Sequence, residues 1–309
     1  MIDYHAHLSP ERTTLDMAAR RFMPFPVPLP PGLTNLDFHF EEMDRCGISK
    51  RYISVPPIMY GYELPIAEQV AHVAALNDWL LLTVHHSRLR HTAVLPLSEP
   101  KEALRELERI ARSGIRSVAI GTHVNGKALD EALPDELWSA LAESTDFILM
   151  HPWQVRGAGV FDGYGLGNAI GNPVETTVAA ARLVAAGILK RNPQLNILLS
   201  HGGGALPYLL GRINQAWTSS GVDRPAIVPA ARQFLYDTVV FSPQQLRHLL
   251  DAVGIDRIVM GTDSPFDMSL SDPAGLIVSA GLDLDHFTQE AIPAVPPAAV
   301  RGQDANETL

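Results

Sequence analysis

His5 and His7 stand two residues apart around the small Ala6, and three more side chains able to bind a metal or carry a proton, His151, His201 and Asp263, each close a short apolar run. Residues i and i+2 of an extended strand face the same way, so two imidazoles on one strand can reach one ion. Neutral imidazole nitrogen and carboxylate oxygen are ordinary ligands of Zn²⁺, and a catalytic site leaves a position for water or substrate. Mn²⁺ accepts the same donor types. A lone His-x-His pair is commonly incidental; five such groups at the ends of four predicted strands are better explained as one metal site.

The elements that must bring these residues together are legible as eight short apolar runs: Ile2 to His7, Tyr52 to Pro56, Thr92 to Leu97, Ser117 to Gly121, Phe147 to His151, Asn196 to His201, Leu235 to Val240 and Arg257 to Asp263. Stretches with helical apolar spacing lie between them, including Pro100 to Ser113, Asp135 to Glu143, Glu175 to Lys190, Ala205 to Trp217 and Pro243 to Val253. Strand and helix in alternation imply parallel strands with crossovers, and eight is the number of a (β/α)₈ TIM barrel. In that fold the carboxyl ends of the strands converge on one face, where active sites are built. We expect one barrel domain over residues 1–309, with residues 8–35, rich in proline from Pro24 to Pro31, as an irregular loop across its mouth.

The formal net charge is −10, from 24 Lys+Arg against 34 Asp+Glu, with no basic cluster, which argues against nucleic acid or an anionic membrane surface as partner. The single Cys46 rules out an intramolecular disulfide framework. No apolar run approaches a membrane span, and the first residues lack the pattern of a signal peptide, so a cytoplasmic location is expected.

Ile2-Asp3-Tyr4-His5-Ala6-His7, His151-Pro152-Trp153, Ser200-His201-Gly202-Gly203-Gly204 and Gly261-Thr262-Asp263-Ser264-Pro265-Phe266 resemble the motifs of the amidohydrolase superfamily branch that contains aminocarboxymuconate-semialdehyde decarboxylase. Glu42-Met43-Asp44, Val55 to Tyr62, Ile120 to Asn125, Pro173 to Thr177 and Gly211-Arg212 follow in the family's order, so the likeness covers roughly residues 1 to 270. The resemblance implies one zinc held by His5, His7, His151 and Asp263, with His201 beside it as the proton-transferring residue and a homodimer as the assembly. It implies a zinc-dependent, non-oxidative decarboxylase of a small unsaturated or aromatic carboxylic acid, with the metal-bound water and His201 moving the proton. The alternative is a hydrolase or hydratase that uses zinc hydroxide as nucleophile. Trp153 is placed either as a wall of the substrate pocket or as a core aromatic, and His123 either in the site or held by backbone hydrogen bonds. Tyr60, Tyr62 and Phe266 are expected at the pocket rim; His85, His86 and His91 are read as surface or packing residues.

The resemblance also marks a departure. In the related decarboxylases an Arg just ahead of the Glu-Met-Asp helix holds a substrate carboxylate, whereas here Leu36-Asp37-Phe38-His39-Phe40 stands there. A bidentate guanidinium is hard to replace, so either Arg12, Arg20 or Arg21 substitutes or the substrate differs. Arg224 and Arg232 lie where the family places a second carboxylate-binding Arg, reaching across a dimer interface.

Overall fold

The computed structural model describes residues 1–10, 30–221 and 223–292. Most of the expected mouth loop, with Arg12, Arg20 and Arg21, lies outside the described residues. The strands are β1 (Ile2–His7), β2 (Lys50–Ser54), β3 (Leu89–His91), β4 (Ala93–Val94), β5 (Ser117–Ile120), a short antiparallel hairpin β6 (His123–Val124) and β7 (Lys127–Ala128), β8 (Phe147–Met150), β9 (Ile197–Leu199) and β10 (Leu235–Tyr236). Two parallel sheets run β1-β2-β3 and β10-β9-β8-β5-β4. Only Thr92 separates β3 from β4, and its N–H donates to the Ile53 carbonyl at 2.8 Å, so the two sheets meet in one interrupted strand.

The ring closes through residues 258–264. Val259 donates to the Tyr236 carbonyl at 2.9 Å, Tyr4 to Met260 at 2.9 Å and Asp263 to His5 at 2.8 Å, and Tyr236 with Ile258 and Ala6 with Ser264 form parallel bridges. The result is a TIM barrel. Its eighth position differs from the expected Arg257 to Asp263 strand: Ile255–Arg257 is a 3-10 turn and the rest pairs only by isolated bridges. Asp263 has φ +58°, which leaves the extended region, so a regular ladder stops there. The third position is split, with β3 ahead of the expected Thr92 to Leu97 and β4 inside it. Asn77 holds both the N–H and the carbonyl of Val94, at 3.0 and 2.9 Å, so these two groups are taken on one side of β4 while the strand pairs with β5 on the other.

Helices α1 (Leu36–Arg45), α2 (Ile66–Thr83), α3 (Pro100–Arg112), α4 (Leu129–Ala132), α5 (Asp135–Ser144), α6 (Asn172–Ala185), α7 (Ile188–Arg191), α8 (Leu206–Ser220), α9 (Ile227–Ala231), α10 (Pro243–Val253) and α11 (Pro273–Ser279) fill the crossovers. The expected helix from Glu175 to Lys190 is two, because Gly187 at φ +72° turns the chain between α6 and α7. On the N-terminal side of the histidines, Tyr4, Tyr52 and Phe147 plug the barrel: Tyr4 stacks on Tyr52 at 5.0 Å and meets Phe147 edge-on at 5.6 Å. Every residue of β1, β5, β8 and β9 is buried, as strands covered on both faces require. No helix among the described residues is long and apolar enough to cross a membrane.

Candidate metal centre

The barrel delivers all five residues to one point. His5 and His7 share a face of β1 with their Nε2 atoms 3.1 Å apart, His151 follows β8, His201 follows β9, and Asp263 lies in the closing segment. Asp263 Oδ1 is 3.2 Å from His5 Nε2, 3.1 Å from His7 Nε2 and 3.7 Å from His151 Nε2, while Oδ2 is 3.3 Å from His201 Nε2. Ligand-type atoms of His5, His151, His201 and Asp263 all lie within 4.8 Å of one another. His201 and Asp263 both hold left-handed backbones, at φ +55° and +58°, a strain characteristic of functional positions. The glycines after His201 are required by space: a Cβ on Gly202 would collide with Val240, and one on Gly204 with the Pro173 carbonyl.

Hydrogen bonds assign the protons. His5 Nδ1 donates to Asp237 Oδ2 at 2.7 Å and His151 Nδ1 to the Pro152 carbonyl at 2.7 Å; His7 Nδ1 faces Ser54 Oγ at 3.1 Å and the Val55 carbonyl at 3.4 Å. With the outer nitrogens so engaged, three Nε2 lone pairs and a carboxylate converge, and the buried His151 Nε2 has no hydrogen-bond partner among the described residues. Acceptors facing acceptors are repulsive unless a cation lies among them, so the donor set fits a divalent metal.

The electrostatics agree. Burial disfavours a charged His5, yet Asp263 and Asp237 outweigh it and push its pKa up to about 10. Burial also acts to raise Asp263, but the neighbouring His5, His151 and His201 imidazoles hold this carboxyl well below the usual range. Burial pushes His151 down to about 3 and lowers His7. The cluster demands positive charge in its middle, as a proton or as a metal ion.

Of the other expected site residues, Phe266 touches the cluster, whereas Tyr60, Trp153 and His123 do not line the cavity beside His201, and Tyr60 and Tyr62 are buried rather than at a rim. Phe266 lies against His7 with ring centroids 5.3 Å apart. Tyr60 is fully buried, packs on Tyr62 at 5.6 Å and has a hydroxyl without a partner among the described residues. Trp153 donates its Nε1–H to the His123 carbonyl at 3.0 Å, and both His123 ring nitrogens meet backbone, Gln154 O at 2.9 Å and Gly126 N at 3.1 Å. A cavity of about 440 Å³ opens beside His201 and Asp263, walled by Pro173, Val240, Phe241, Leu249 and Met268, with Asn168, Gln245 and His248 as further polar lining. His85 and His86 are exposed, His86 against Phe40. Arg224 sits over the Trp217 ring at 5.7 Å, and Arg232 donates to the Ala252 carbonyl at 3.4 Å.

Two groups escaped the reading of the sequence. Asp237, which follows β10, accepts from His5 and from the backbone N–H groups of His201 (3.0 Å), Gly202 (2.7 Å) and Val239 (3.1 Å). The signal was present, since Asp237 lies within the expected seventh strand run, near the carboxyl end where the other site residues stand. The second group ties Asp263's neighbours down: Asp3 accepts from Arg51 Nε at 2.9 Å and Thr262 Oγ1 at 2.7 Å, and Glu42 takes Arg51 at 2.8 Å and Ser264 Oγ at 2.5 Å.

The family described as Amidohydrolase matches residues 2–295. The 2-amino-3-carboxymuconate-6-semialdehyde decarboxylase of Dictyostelium discoideum is 27% identical over 282 residues, which span 88% of this chain and 78% of the relative. The gamma-resorcylate decarboxylase of Polaromonas sp. JS666 is 30% identical over 290 residues, 84% of this chain and 86% of the relative. The solved dihydroxybenzoic acid decarboxylase of Polaromonas sp. JS666, with bound manganese and the inhibitor 2-nitroresorcinol, superposes with a TM-score of 0.79 at 26% identity over 92% of each chain. The chain belongs to the amidohydrolase family, in the branch of the aminocarboxymuconate-semialdehyde and gamma-resorcylate decarboxylases.

Proposed function

We propose that this protein is a metal-dependent, non-oxidative decarboxylase of a small aromatic carboxylic acid. The observation that carries the reading is the convergence of three imidazole lone pairs and the Asp263 carboxylate beside His201, at the mouth of a cavity of about 440 Å³, a size suited to one small-molecule ligand. His5, His7, His151 and Asp263 would hold the ion. When bound, it supplies Lewis-acid stabilisation of negative charge on the substrate's oxygens.

The residues of the chain do the rest. The apolar side chains of the cavity wall take the ring. His201 Nε2, 3.3 Å from Asp263 Oδ2, delivers a proton to the ring carbon that bears the carboxylate. The bond from that carbon to the carboxylate then breaks, its electron pair returns to the ring, and carbon dioxide leaves. Atoms balance as one proton in and one carbon dioxide out, with no change of oxidation state. Zinc is the ion we propose, from the three imidazoles; the manganese of the Polaromonas relative makes Mn²⁺ the comparison. A homodimer belongs to the same reading, supported by the exposed Tyr208, Phe241 and Met268 beside the cavity.

The test is to load the metal-stripped protein with Zn²⁺ or Mn²⁺, offer a panel of hydroxybenzoic acids, muconates and amides, and follow masses. Loss of carbon dioxide from an aromatic acid is expected. Gain of water alone would replace the reading with a hydrolase or hydratase.

A further inference from the structure

We propose that Asp237 is the positioning residue that decides which nitrogen of His5 carries the proton, keeping Nε2 open for the metal while tying the His201 turn to the same carboxylate. The inference rests on the metal-site reading above and goes beyond the ligands themselves. Asp237 is fully buried and receives four donors: Oδ2 takes His5 Nδ1 at 2.7 Å and the His201 N–H at 3.0 Å, and Oδ1 takes the N–H groups of Gly202 at 2.7 Å and Val239 at 3.1 Å. Three of these donors are backbone and cannot change role. Only the imidazole can, by moving its proton from Nδ1 to Nε2.

That asymmetry makes the consequence of Asp237→Asn specific. The amide must turn its NH₂ toward one pair of donors. Facing Gly202 and Val239 it meets two fixed N–H groups; facing His5 and His201 it meets one, and His5 relieves the other contact by presenting Nδ1 as an acceptor. The second arrangement wins, the His5 proton moves to Nε2, and the metal loses that lone pair. Asp237→Ala leaves a gap that water can fill, and because water accepts as readily as it donates, the metal can still draw His5 into its working tautomer. A merely structural role predicts the reverse order, with Ala the worse.

The experiment measures Mn²⁺ affinity from the free-ion electron paramagnetic resonance signal of the unmutated protein and both variants. The expected result is an affinity loss on the order of 10–100-fold for Asp237→Asn and a smaller loss for Asp237→Ala. An Asn variant within twofold of the unmutated protein, or an Ala variant weaker than Asn, overturns the proposal. Should either variant fail to fold, the zinc-loaded unmutated protein decides by NMR: a low-field, slowly exchanging His5 Nδ1 proton is expected, and its absence overturns the proposal. If the unmutated protein binds no divalent ion, the proposed function falls as well; tight binding unaffected by Asn removes only the role of Asp237.

Discussion

His201 differs from the other site histidines in what its ring touches. Its Nε2 reaches Asp263 Oδ2 rather than the oxygen that faces His5, His7 and His151, and its Nδ1 meets Ser200 Oγ at 3.3 Å. It is thus the imidazole best placed to exchange a proton with a ligand in the adjoining cavity, whose lining it shares with Asp263. His201→Ala is expected to retain one metal ion per chain while turnover falls about 10²–10⁴-fold, the usual contribution of a positioned acid. Metal content by mass spectrometry beside turnover on the same sample checks both halves. Loss of the ion would make His201 a ligand, and full turnover would remove it from the mechanism.

At the scale of elements, the turn from β9 to α8 sets where His201 stands. Gly204 has φ +63°, and its missing side chain is what lets the Pro173 carbonyl at the start of α6 approach. With ψ −126° beside that φ, the backbone lies in a sparsely populated region that costs an L-residue roughly 1–3 kcal/mol before any collision is counted, so Gly204→Ala is expected to lose more than that in urea denaturation and to lower turnover through His201. This dependence explains what sequence could and could not deliver. The ends of β1, β8 and β9 were readable because a short apolar run closed by His needs only local pattern. The start of α10 was readable because Ser242-Pro243 opens a helix by local chemistry. The interruption between β3 and β4 and the irregular eighth segment were not, since Asn77 and the left-handed Asp263 act through the folded barrel. Asp237 could be placed near a strand end, but its bond to His5 spans 232 residues.

Across the whole molecule, buried histidines make stability depend on pH. Burial, with Arg51 alongside, lowers His39 from 6.5 to about 3, so the folded protein keeps it neutral where the unfolded chain would protonate it. The sign follows: the unfolded state binds the extra proton, so this stabilisation is complete above about pH 6.5 and is lost as pH falls toward 3. His39→Gln is expected to flatten the stability profile between those limits by up to about 1.4 kcal/mol per pH unit, as read from urea midpoints across the range. An unchanged slope would mean that His39 already accepts a proton in the fold.

The closing segment carries a consequence for how the molecule is made. His7 and Asp263 meet across 256 residues, and Tyr4 finds its backbone partner only at Met260. While the nascent chain emerges, β1 can pair with β2 early, but its other edge waits until nearly the whole barrel has been synthesised. Until then His5 and His7 are a bare histidine pair, and the proposed four-ligand site comes into being in one late step. On that reading, metal uptake would report that synthesis and closure are complete.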